Sequence, residues 1–159
     1  MVQHKVMKKS KTIALCSSVS FYRHVLSIEK ELKKMGFKTK IPSTAYKMKK
    51  TNNFSVTDHK LWHKDSSFYH LKTKLIKNHI KKIIQSDAVL IVNLEKDGKK
   101  GYIGGNVLIE MAIAFHYKKP IFIFNKIEYD CPFLEEILAM KPVFINGSLE
   151  KINDKNNFG

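Results

Sequence analysis

The sequence predicts an α/β domain in which a five-stranded parallel sheet lies between two layers of helices. Strand-like and helix-like segments alternate along the chain, as they do in βαβ units. The predicted strands are apolar at successive residues rather than at every second one, which is typical of strands buried on both faces. With 159 residues the chain has the length of one domain with a substantial core.

The N-terminal quarter predicts two strands and a helix. Residues 1–10 form a polar leader, and TIALCSSV (12–19) is a buried strand that ends in small polar residues. Apolar residues then recur at helical spacing up to Gly36, which has the position of a C-terminal cap. The segment FKTKIP (37–42) predicts a second strand that Pro42 ends.

Residues 43–70 show little periodicity and predict a long loop. Loops of this length in a compact domain are usually functional or disordered, and a functional loop here would be a lid candidate. Its aromatic residues Trp62, Phe68 and Tyr69 either stack on a ligand or fix the loop to the core. Helical spacing returns between Leu71 and Ile84.

The second half of the chain completes the pattern. A single domain is therefore predicted over residues 11–150, followed by a C-terminal tail at 151–159. Five strands favour a three-layer sandwich of the flavodoxin-like or Rossmann-like type, whose ligands bind outside the carboxyl ends of the strands. The predicted segments are the strand DAVLIVNL (87–94), a glycine-rich link, a helix that contains Glu110, the strand PIFIFN (120–125), the helix PFLEEILAM (132–140) and the strand PVFING (142–147).

The net charge of +15 is concentrated in the N-terminal half. Residues 1–85 have 20 basic and 4 acidic residues, a net charge of +16, and the remainder has 9 and 10, a net charge of −1. A basic half attracts phosphorylated ligands or nucleic acid. Because Arg23 is the one arginine and base readers rely on the arginine fork, polynucleotide binding is not the favoured interpretation.

Two cysteines, Cys16 and Cys131, lie far apart and form no CxxC motif, which favours a reducing, cytoplasmic environment. No apolar run reaches the roughly 18 residues that span a bilayer, so no membrane association is expected. His59 and His63 have the spacing of metal ligands but lack a third partner in the sequence. Neither a metal nor a cofactor is expected.

Glu110 is the one charged residue in the apolar run from Val107 to Phe115. A helical wheel places Leu108, Met111, Ala112 and Phe115 on the face towards the sheet, and Glu110 on a far side that is also apolar. Such a carboxylate must be hydrogen-bonded or have a raised pKa. The apolar far side predicts burial against a second subunit, hence a homo-oligomer.

The glycine-rich link also favours a ligand site. Gly104 and Gly105 allow close approach of the backbone to a ligand, and the start of the helix at Asn106 offers free N–H groups. Glu110 follows one turn later. A parallel strand, glycines, a helix start and an isolated carboxylate together predict a small-molecule site.

The segments SDAVLIVN (86–93) and GYIGGNVLIEMAIAFHYKKPIFIFN (101–125) resemble the nucleoside 2-deoxyribosyltransferase superfamily. ALCSSVSF (14–21) resembles the first-strand loop of that superfamily, in which small residues surround the sugar or 5′-phosphate. The resemblance covers about residues 12–149 and implies a flavodoxin-like fold. It also implies cleavage or exchange of the N-glycosidic bond of a (deoxy)nucleoside or its 5′-monophosphate.

The resemblance implies that Glu110 is the nucleophile, which agrees with the carboxylate that retaining glycosyl transfer requires. His79 lies eight residues before Asp87, where relatives often have an acid, and it is the candidate proton donor. The candidate substrate-binding residues are Cys16, Ser17, Ser18, Asn93, Tyr102, Gly104, Gly105 and Asn106. Relatives use Asp or Ser in place of Gly104 to hold the sugar, whereas Gly104 has no side chain to offer.

Two other interpretations stay open. A nucleotide-binding sensor could keep the pocket and lack the chemistry. The loop IGGNVLIE (103–110) also partly resembles the PGGxGTxxE motif of cytokinin-activating phosphoribohydrolases. The expected partner is a nucleoside or nucleotide in each case, and the sequence does not decide between free nucleoside and 5′-monophosphate.

Overall fold

A parallel sheet of five strands forms the centre of the computed structural model, which describes residues 9–158. The spatial order of the strands is β2-β1-β3-β4-β5. All four pairings are parallel, because each return connection passes over a face of the sheet. The strands are β1 (Thr12–Ser17), β2 (Lys38–Lys40), β3 (Ala88–Val92), β4 (Ile121–Ile123) and β5 (Val143–Phe144).

Within residues 9–158, six α-helices connect or cover the strands, and short 3₁₀ turns lie between several of them. The longest helix carries His79, and the helix after β3 carries Glu110. The helices are α1 (Tyr22–Lys34), α2 (Ser43–Thr51), α3 (Val56–His59), α4 (Tyr69–Ile84), α5 (Gly105–His116) and α6 (Leu134–Ala139).

Alternate residues of β1 point to the two faces of the sheet and define the two apolar layers. Ile13 and Leu15 pack in one cluster with residues of α1 and α2. Ala14 and Cys16 pack in the other cluster with residues of α4, α5 and α6. The predicted three-layer α/β sandwich with a five-stranded parallel sheet is therefore confirmed.

Two boundary predictions need correction. Residues 43–70 are not a continuous loop, since α2 buries Ala45 and Met48, and α3 and two 3₁₀ turns follow it. The predicted tail at 151–159 packs on the core, because Ile152 is fully buried and the Phe158 ring stacks on that of Phe37. The predicted polar leader lies outside the described residues, apart from residues 9 and 10.

The predicted sheet-facing side of the Glu110 helix was also wrong in part, although Met111 is buried as expected. In the structure α5 buries Val107, Met111 and Ala114 together with Glu110, whereas Phe115 is 53% exposed. A helix that is apolar all round has no polar face to indicate its orientation. The consequence is that Glu110 points into the protein, between the sheet and α4.

The chain continues towards opposite edges of the sheet after β1 and after β3. From β1 the chain continues to the edge strand β2, and from β3 it continues to β4 on the other side. Ligand sites in such sheets lie where the connections diverge at the carboxyl ends. Cys16 is near the end of β1, and α5 begins after the loop that follows β3. No helix within residues 9–158 is long and apolar enough to cross a membrane.

Candidate active site

Glu110 is a buried carboxylate with one oxygen engaged and one free. Only 7% of the surface of Glu110 is exposed to solvent. Oε1 accepts a hydrogen bond of 2.8 Å from Nδ2 of Asn106, one helical turn earlier. Oε2 accepts no hydrogen bond from the described residues, although it is buried. An unsatisfied buried carboxylate oxygen is costly, and its presence indicates a function other than packing.

Three chemically active side chains meet beside this oxygen. His79 Nε2, from α4, lies 3.9 Å from Glu110 Oε2 and 3.5 Å from the Sγ atom of Cys16. All three residues are buried. They come from β1, α4 and α5, so the packing of two helices on one face of the sheet brings them together.

Burial raises the pKa of Glu110 from its ordinary value of 4.5 to about 7. Interactions with Cys16, Lys72 and Asn106 oppose this shift and keep it from being larger. The carboxyl group is therefore divided between its neutral and ionised forms near neutral pH. Perturbed groups of this kind are characteristic of active sites.

The pKa values of the two neighbours move in opposite directions. Burial lowers the pKa of His79 from 6.5 to about 4, and the positive charge of Lys82 adds to the effect. Burial raises the pKa of the Cys16 thiol, and the negative charge of Glu110 raises it further. At neutral pH the imidazole and the thiol are therefore both uncharged.

A pocket opens above Glu110 and His79. Its volume is about 60 Å³, which is room for only a few water molecules. Trp62 from the segment between α3 and α4 covers part of it and is itself 8% exposed. The polar and aromatic residues that line it are Tyr22, Ser43, Thr44, His59, Lys60, Trp62, Lys72, His79, Asn106 and Glu110.

Two lysines line the pocket, and a third, Lys96, lies near Lys60. Lys60 and Lys72 line it, and Lys72 Nζ donates a 3.3 Å hydrogen bond to Oδ1 of Asn106. Lys96 Nζ lies 3.5 Å from Oγ of Ser18. Burial lowers the pKa of Lys60, and the charges of Lys96 and Lys72 lower it further. None of the three forms an ion pair with a carboxylate of the described residues.

The loop after β1 lies beside the pocket. Val19 lines the pocket, whereas Ser17 and Ser18 do not. The buried Ser17 hydroxyl donates a 2.9 Å hydrogen bond to the backbone carbonyl of Ser18, which fixes the turn. Ser18 Oγ accepts a hydrogen bond from Nζ of Lys96.

Asn93 holds two strand ends together. Its Oδ1 accepts a 2.8 Å hydrogen bond from the backbone N–H of Asn125, and its Nδ2 donates to the carbonyl oxygens of Asn125 and Gly101. Gly101 has φ +74°, and a Cβ there would lie 2.0 Å from the carbonyl oxygen of Lys126. Asn93 is fully buried and does not line the pocket.

The glycine loop itself is occupied by aromatic packing. The Tyr102 ring stacks on the Tyr129 ring with centroids 6.3 Å apart. A Cβ at Gly104 would lie 3.1 Å from the Tyr102 hydroxyl, so the absence of a side chain there leaves room for Tyr102. Gly105 is exposed and begins α5. Of the predicted residues in this region, Asn106 reaches the pocket.

Sequence reasoning did not single out Tyr22, Lys72 or Lys60, and it left the role of Trp62 open. Tyr22 and Lys72 lie on the first and fourth helices among residues of ordinary surface character, so no local pattern marks them. They line the pocket with Glu110 because of the rotation of their helices about the helix axes. That rotation is fixed only when the helices pack. Trp62 was the one of these pocket residues that the sequence did mark, as an aromatic residue in the segment interpreted as a lid.

Comparison with known proteins supports the fold. No protein-family model and no curated protein sequence matches the chain. Among solved structures it is similar to a 2-deoxyribosyltransferase from the psychrotolerant bacterium Bacillus psychrosaccharolyticus, with a TM-score of 0.50 and 16% sequence identity. The similarity covers 77% of this chain and 78% of that one. The similarity is one of fold, and it is to a protein of the kind that the sequence segments resemble.

Proposed function

We propose that the protein cleaves or exchanges the N-glycosidic bond of a (deoxy)nucleoside or its 5′-monophosphate, with Glu110 as the nucleophile. One observation carries the proposal. Glu110 lines a small polar pocket at the carboxyl edge of the sheet, with Oε1 held by Asn106 and Oε2 buried without a hydrogen bond from the described residues. A carboxylate oriented through one oxygen has the other available for attack on a carbon atom.

The reaction has two steps. Oε2 of ionised Glu110 forms a bond to the anomeric carbon C1′ while the bond from C1′ to the nucleobase nitrogen breaks, and its electron pair stays on the base. A proton then neutralises the base. Water or a second base attacks C1′ of the glycosyl ester, which releases the Glu110 carboxylate and retains the configuration of the sugar.

The Glu110 and His79 pair can supply both the nucleophile and the acid from one proton. When the pair holds one proton, that proton lies on Glu110 rather than on His79, because the pKa of Glu110 is about 7 and that of His79 is about 4. Transfer of that proton to His79 gives a carboxylate and an imidazolium, which are the two forms that glycosidic cleavage needs. The separation of 3.9 Å exceeds a hydrogen bond by about 1 Å, so one side chain must move towards the other.

Substrate entry requires the segment between α3 and α4 to move. A pocket of about 60 Å³ is far smaller than the roughly 300–1,000 Å³ of small-molecule sites. Three residues of the segment interpreted as a lid line the pocket: His59, which ends α3, and Lys60 and Trp62, which follow it. Outward movement of these residues opens space for a base, and Trp62 then offers a surface on which the base stacks.

The lysines favour the 5′-monophosphate over the free nucleoside. Lys72 and Lys96 lie close enough to Lys60 for their charges to lower its pKa, and the three form no ion pair with the described carboxylates. Three neighbouring ammonium groups are stabilised by a dianionic phosphate. The Ser18 hydroxyl beside Lys96 adds a further donor.

The alternative is a nucleotide sensor of the same fold without catalysis. The absence of a side chain at Gly104, which leaves the sugar unheld there, favours this alternative. A phosphoribohydrolase-like N-glycosidase is the other one, and it uses the same carboxylate. The three proposals share the ligand class and differ in turnover.

Base release distinguishes them. Purified protein is incubated with ribo- and deoxynucleosides and their 5′-monophosphates, with and without an acceptor base, and the products are separated by chromatography. Glu110→Gln keeps the shape of the side chain and is expected to lower the rate at least about 10³-fold. The exposed Glu128→Gln is the matched control. Binding in calorimetry without base release would instead establish the sensor.

We also propose that the protein is a cytoplasmic homo-oligomer. Both cysteines are free and buried, as expected in a reducing compartment. Ile109 and Phe115 expose 51% and 53% of their surface on the outer side of α5. A second copy of the chain that covers this face would remove the exposed apolar area from water.

A further inference from the structure

We propose that Cys16, His79 and Glu110 form a Zn²⁺ site that regulates the proposed activity by occupying the nucleophile. The inhibitory consequence rests on the proposed function, whereas the metal site itself does not. The sequence predicted no metal site, since His59 and His63 lack a third partner, and Cys16, His79 and Glu110 are separated by 63 and 31 residues. Their proximity is a result of the fold.

The distances fit a tetrahedral ion. One ligand atom from each residue lies within 4.8 Å of the other two. With bonds of about 2.0–2.3 Å, a thiolate sulfur and an imidazole nitrogen on one zinc lie about 3.6 Å apart, and a nitrogen and an oxygen about 3.4 Å apart. Cys16 Sγ and His79 Nε2 are 3.5 Å apart. His79 Nε2 and Glu110 Oε2 are 3.9 Å apart, a gap that rotation of the Glu110 side chain closes.

The carboxylate oxygen without a hydrogen bond is a second indication. Glu110 is more than nine-tenths buried, and its Oε2 faces His79 without a hydrogen bond from the described residues. Buried carboxylate oxygens are normally satisfied by donors, water or a cation. A zinc ion at this place would satisfy the oxygen, the imidazole nitrogen and the sulfur together.

The donor set selects the kind of metal. A thiolate, an imidazole and one carboxylate suit Zn²⁺, whereas Mg²⁺ and Ca²⁺ prefer oxygen ligands alone. Three protein ligands leave a fourth position for water or substrate. Glu110 and His79 both line the pocket, so this position faces it. On binding, the thiol proton of Cys16 passes to solvent and the sulfur coordinates as a thiolate.

The effect on the proposed chemistry is direct. Oε2 is the oxygen proposed to attack C1′, and the same atom is the zinc ligand. A coordinated carboxylate has its lone pair engaged by the metal and does not attack carbon. Stoichiometric Zn²⁺ is therefore expected to suppress base release, and a chelator to restore it.

The site is tested on chelator-treated full-length protein, without reference to activity. Zn²⁺ is expected to bind at one ion per chain by elemental analysis, and Co²⁺ to give the near-ultraviolet charge-transfer absorption of a cobalt–thiolate bond. Cys16→Ser removes this absorption, whereas Cys131→Ser retains it, since Cys131 is equally a buried free thiol but not part of the cluster. Absorption that is missing from the parent protein, or that persists in Cys16→Ser, overturns the proposal.

Two further variants guard against misfolding of the cysteine variant. Loss of an outer partner of a metal ligand weakens binding about 10–100-fold, so Glu110→Gln and His79→Gln are expected to weaken Zn²⁺ binding at least about 100-fold. The exposed His116→Gln is the control. Unchanged affinity in both pocket variants contradicts the site.

The two proposals fail in different ways. Zinc bound at one ion per chain, with no base release from the metal-free protein, supports the metal site and removes the proposed activity. A protein that releases base but does not bind Zn²⁺, and whose rate does not change when Zn²⁺ is added, supports the activity and contradicts the metal site.

Discussion

His79 Nε2 lies 3.9 Å from Glu110 Oε2, and the pKa values of the two groups are reversed from their ordinary order. In water the carboxyl group titrates at 4.5 and the imidazole at 6.5, whereas in the folded protein the values are about 7 and about 4. Between the two ordinary values, the unfolded chain carries the proton on His79 and the folded chain carries it on Glu110. Both states then bind one proton at the pair.

The first prediction concerns the pH dependence of stability in the metal-free protein. Glu110 has a raised pKa, so its contribution to the free energy of unfolding falls as pH rises from 4.5 to 7. His79 has a lowered pKa, so its contribution falls as pH falls from 6.5 to 4. Between pH 4.5 and 6.5 these slopes oppose each other and largely cancel.

Single variants should reveal each slope. In Glu110→Gln the free energy of unfolding should fall as pH is lowered through the His79 window, by up to about 1.4 kcal/mol per pH unit relative to the parent. In His79→Gln it should fall as pH is raised through the Glu110 window. Urea unfolding at a series of pH values measures both. Curves parallel to the parent curve would show that the buried pair does not titrate in this way.

The second prediction concerns Asn106 as a positioning residue. Asn106→Leu removes the 2.8 Å hydrogen bond to Glu110 Oε1, which favours the ionised carboxylate. The pKa of Glu110 should rise further. Because the pair works with one shared proton, the basic limb of the kcat/KM profile should move up by about one pH unit and its plateau should fall about tenfold. The exposed Asn78→Leu on α4 is the control. A fall in rate at all pH values without a shift would indicate a purely structural effect.

The third prediction concerns Lys72 and the phosphate. Lys72→Met retains the apolar stem and removes the ammonium group that lines the pocket. KM for 5′-monophosphates should rise about tenfold or more, with a smaller change for nucleosides, because one charge-assisted hydrogen bond is lost. Lys74→Met, exposed on the same helix, is the matched control. Equal changes for both substrate classes would exclude Lys72 from phosphate binding.

The fourth prediction uses Trp62, the single tryptophan of the chain. Because Trp62 lines the pocket, a bound base should change its fluorescence emission, and Glu110→Gln allows the titration without turnover. Ribose 5-phosphate, which lacks a base, should produce a smaller change. Emission that stays constant while calorimetry detects binding would place the base elsewhere.

The fifth prediction concerns the outer face of α5. Phe115→Glu introduces a charge into the exposed apolar patch with Ile109 and should lower the molar mass measured by light scattering. Tyr46→Glu on α2, where the side chain is 61% exposed, should leave the mass unchanged. A parent protein that is monomeric at all concentrations would contradict the proposed oligomer.

The strands could be predicted because their signal is local. The run from Ala88 to Val92 is apolar at each residue, and all of it is buried in the sheet. Helix α2 was missed because its segment mixes lysines with few apolar residues, and it buries only Ala45 and Met48. Its stability comes from packing on α1 and α4, which the sequence does not display.

The candidate site divides in the same way. Glu110 was identifiable as the lone carboxylate in an apolar run, and its burial agrees with that expectation. His79 was identifiable only through the resemblance, since its neighbours in sequence are lysines, asparagine and isoleucine. Asn93 looked like a ligand residue at a strand end, and the fold uses its amide to hold Asn125.

The sequence by itself determined the parallel α/β sandwich, the edge of the sheet at which a site would form and the carboxylate at its centre. Apolar runs, glycines and an isolated charge are properties of neighbouring residues, so they can be recognised without the fold. Only the tertiary structure decided that Cys16, His79 and Glu110 meet, that Trp62 lines one pocket with His79 and Glu110, and which face of α5 is exposed. The physical reason is that these relations depend on the rotation of each packed helix about its axis, which side-chain packing across the whole chain determines.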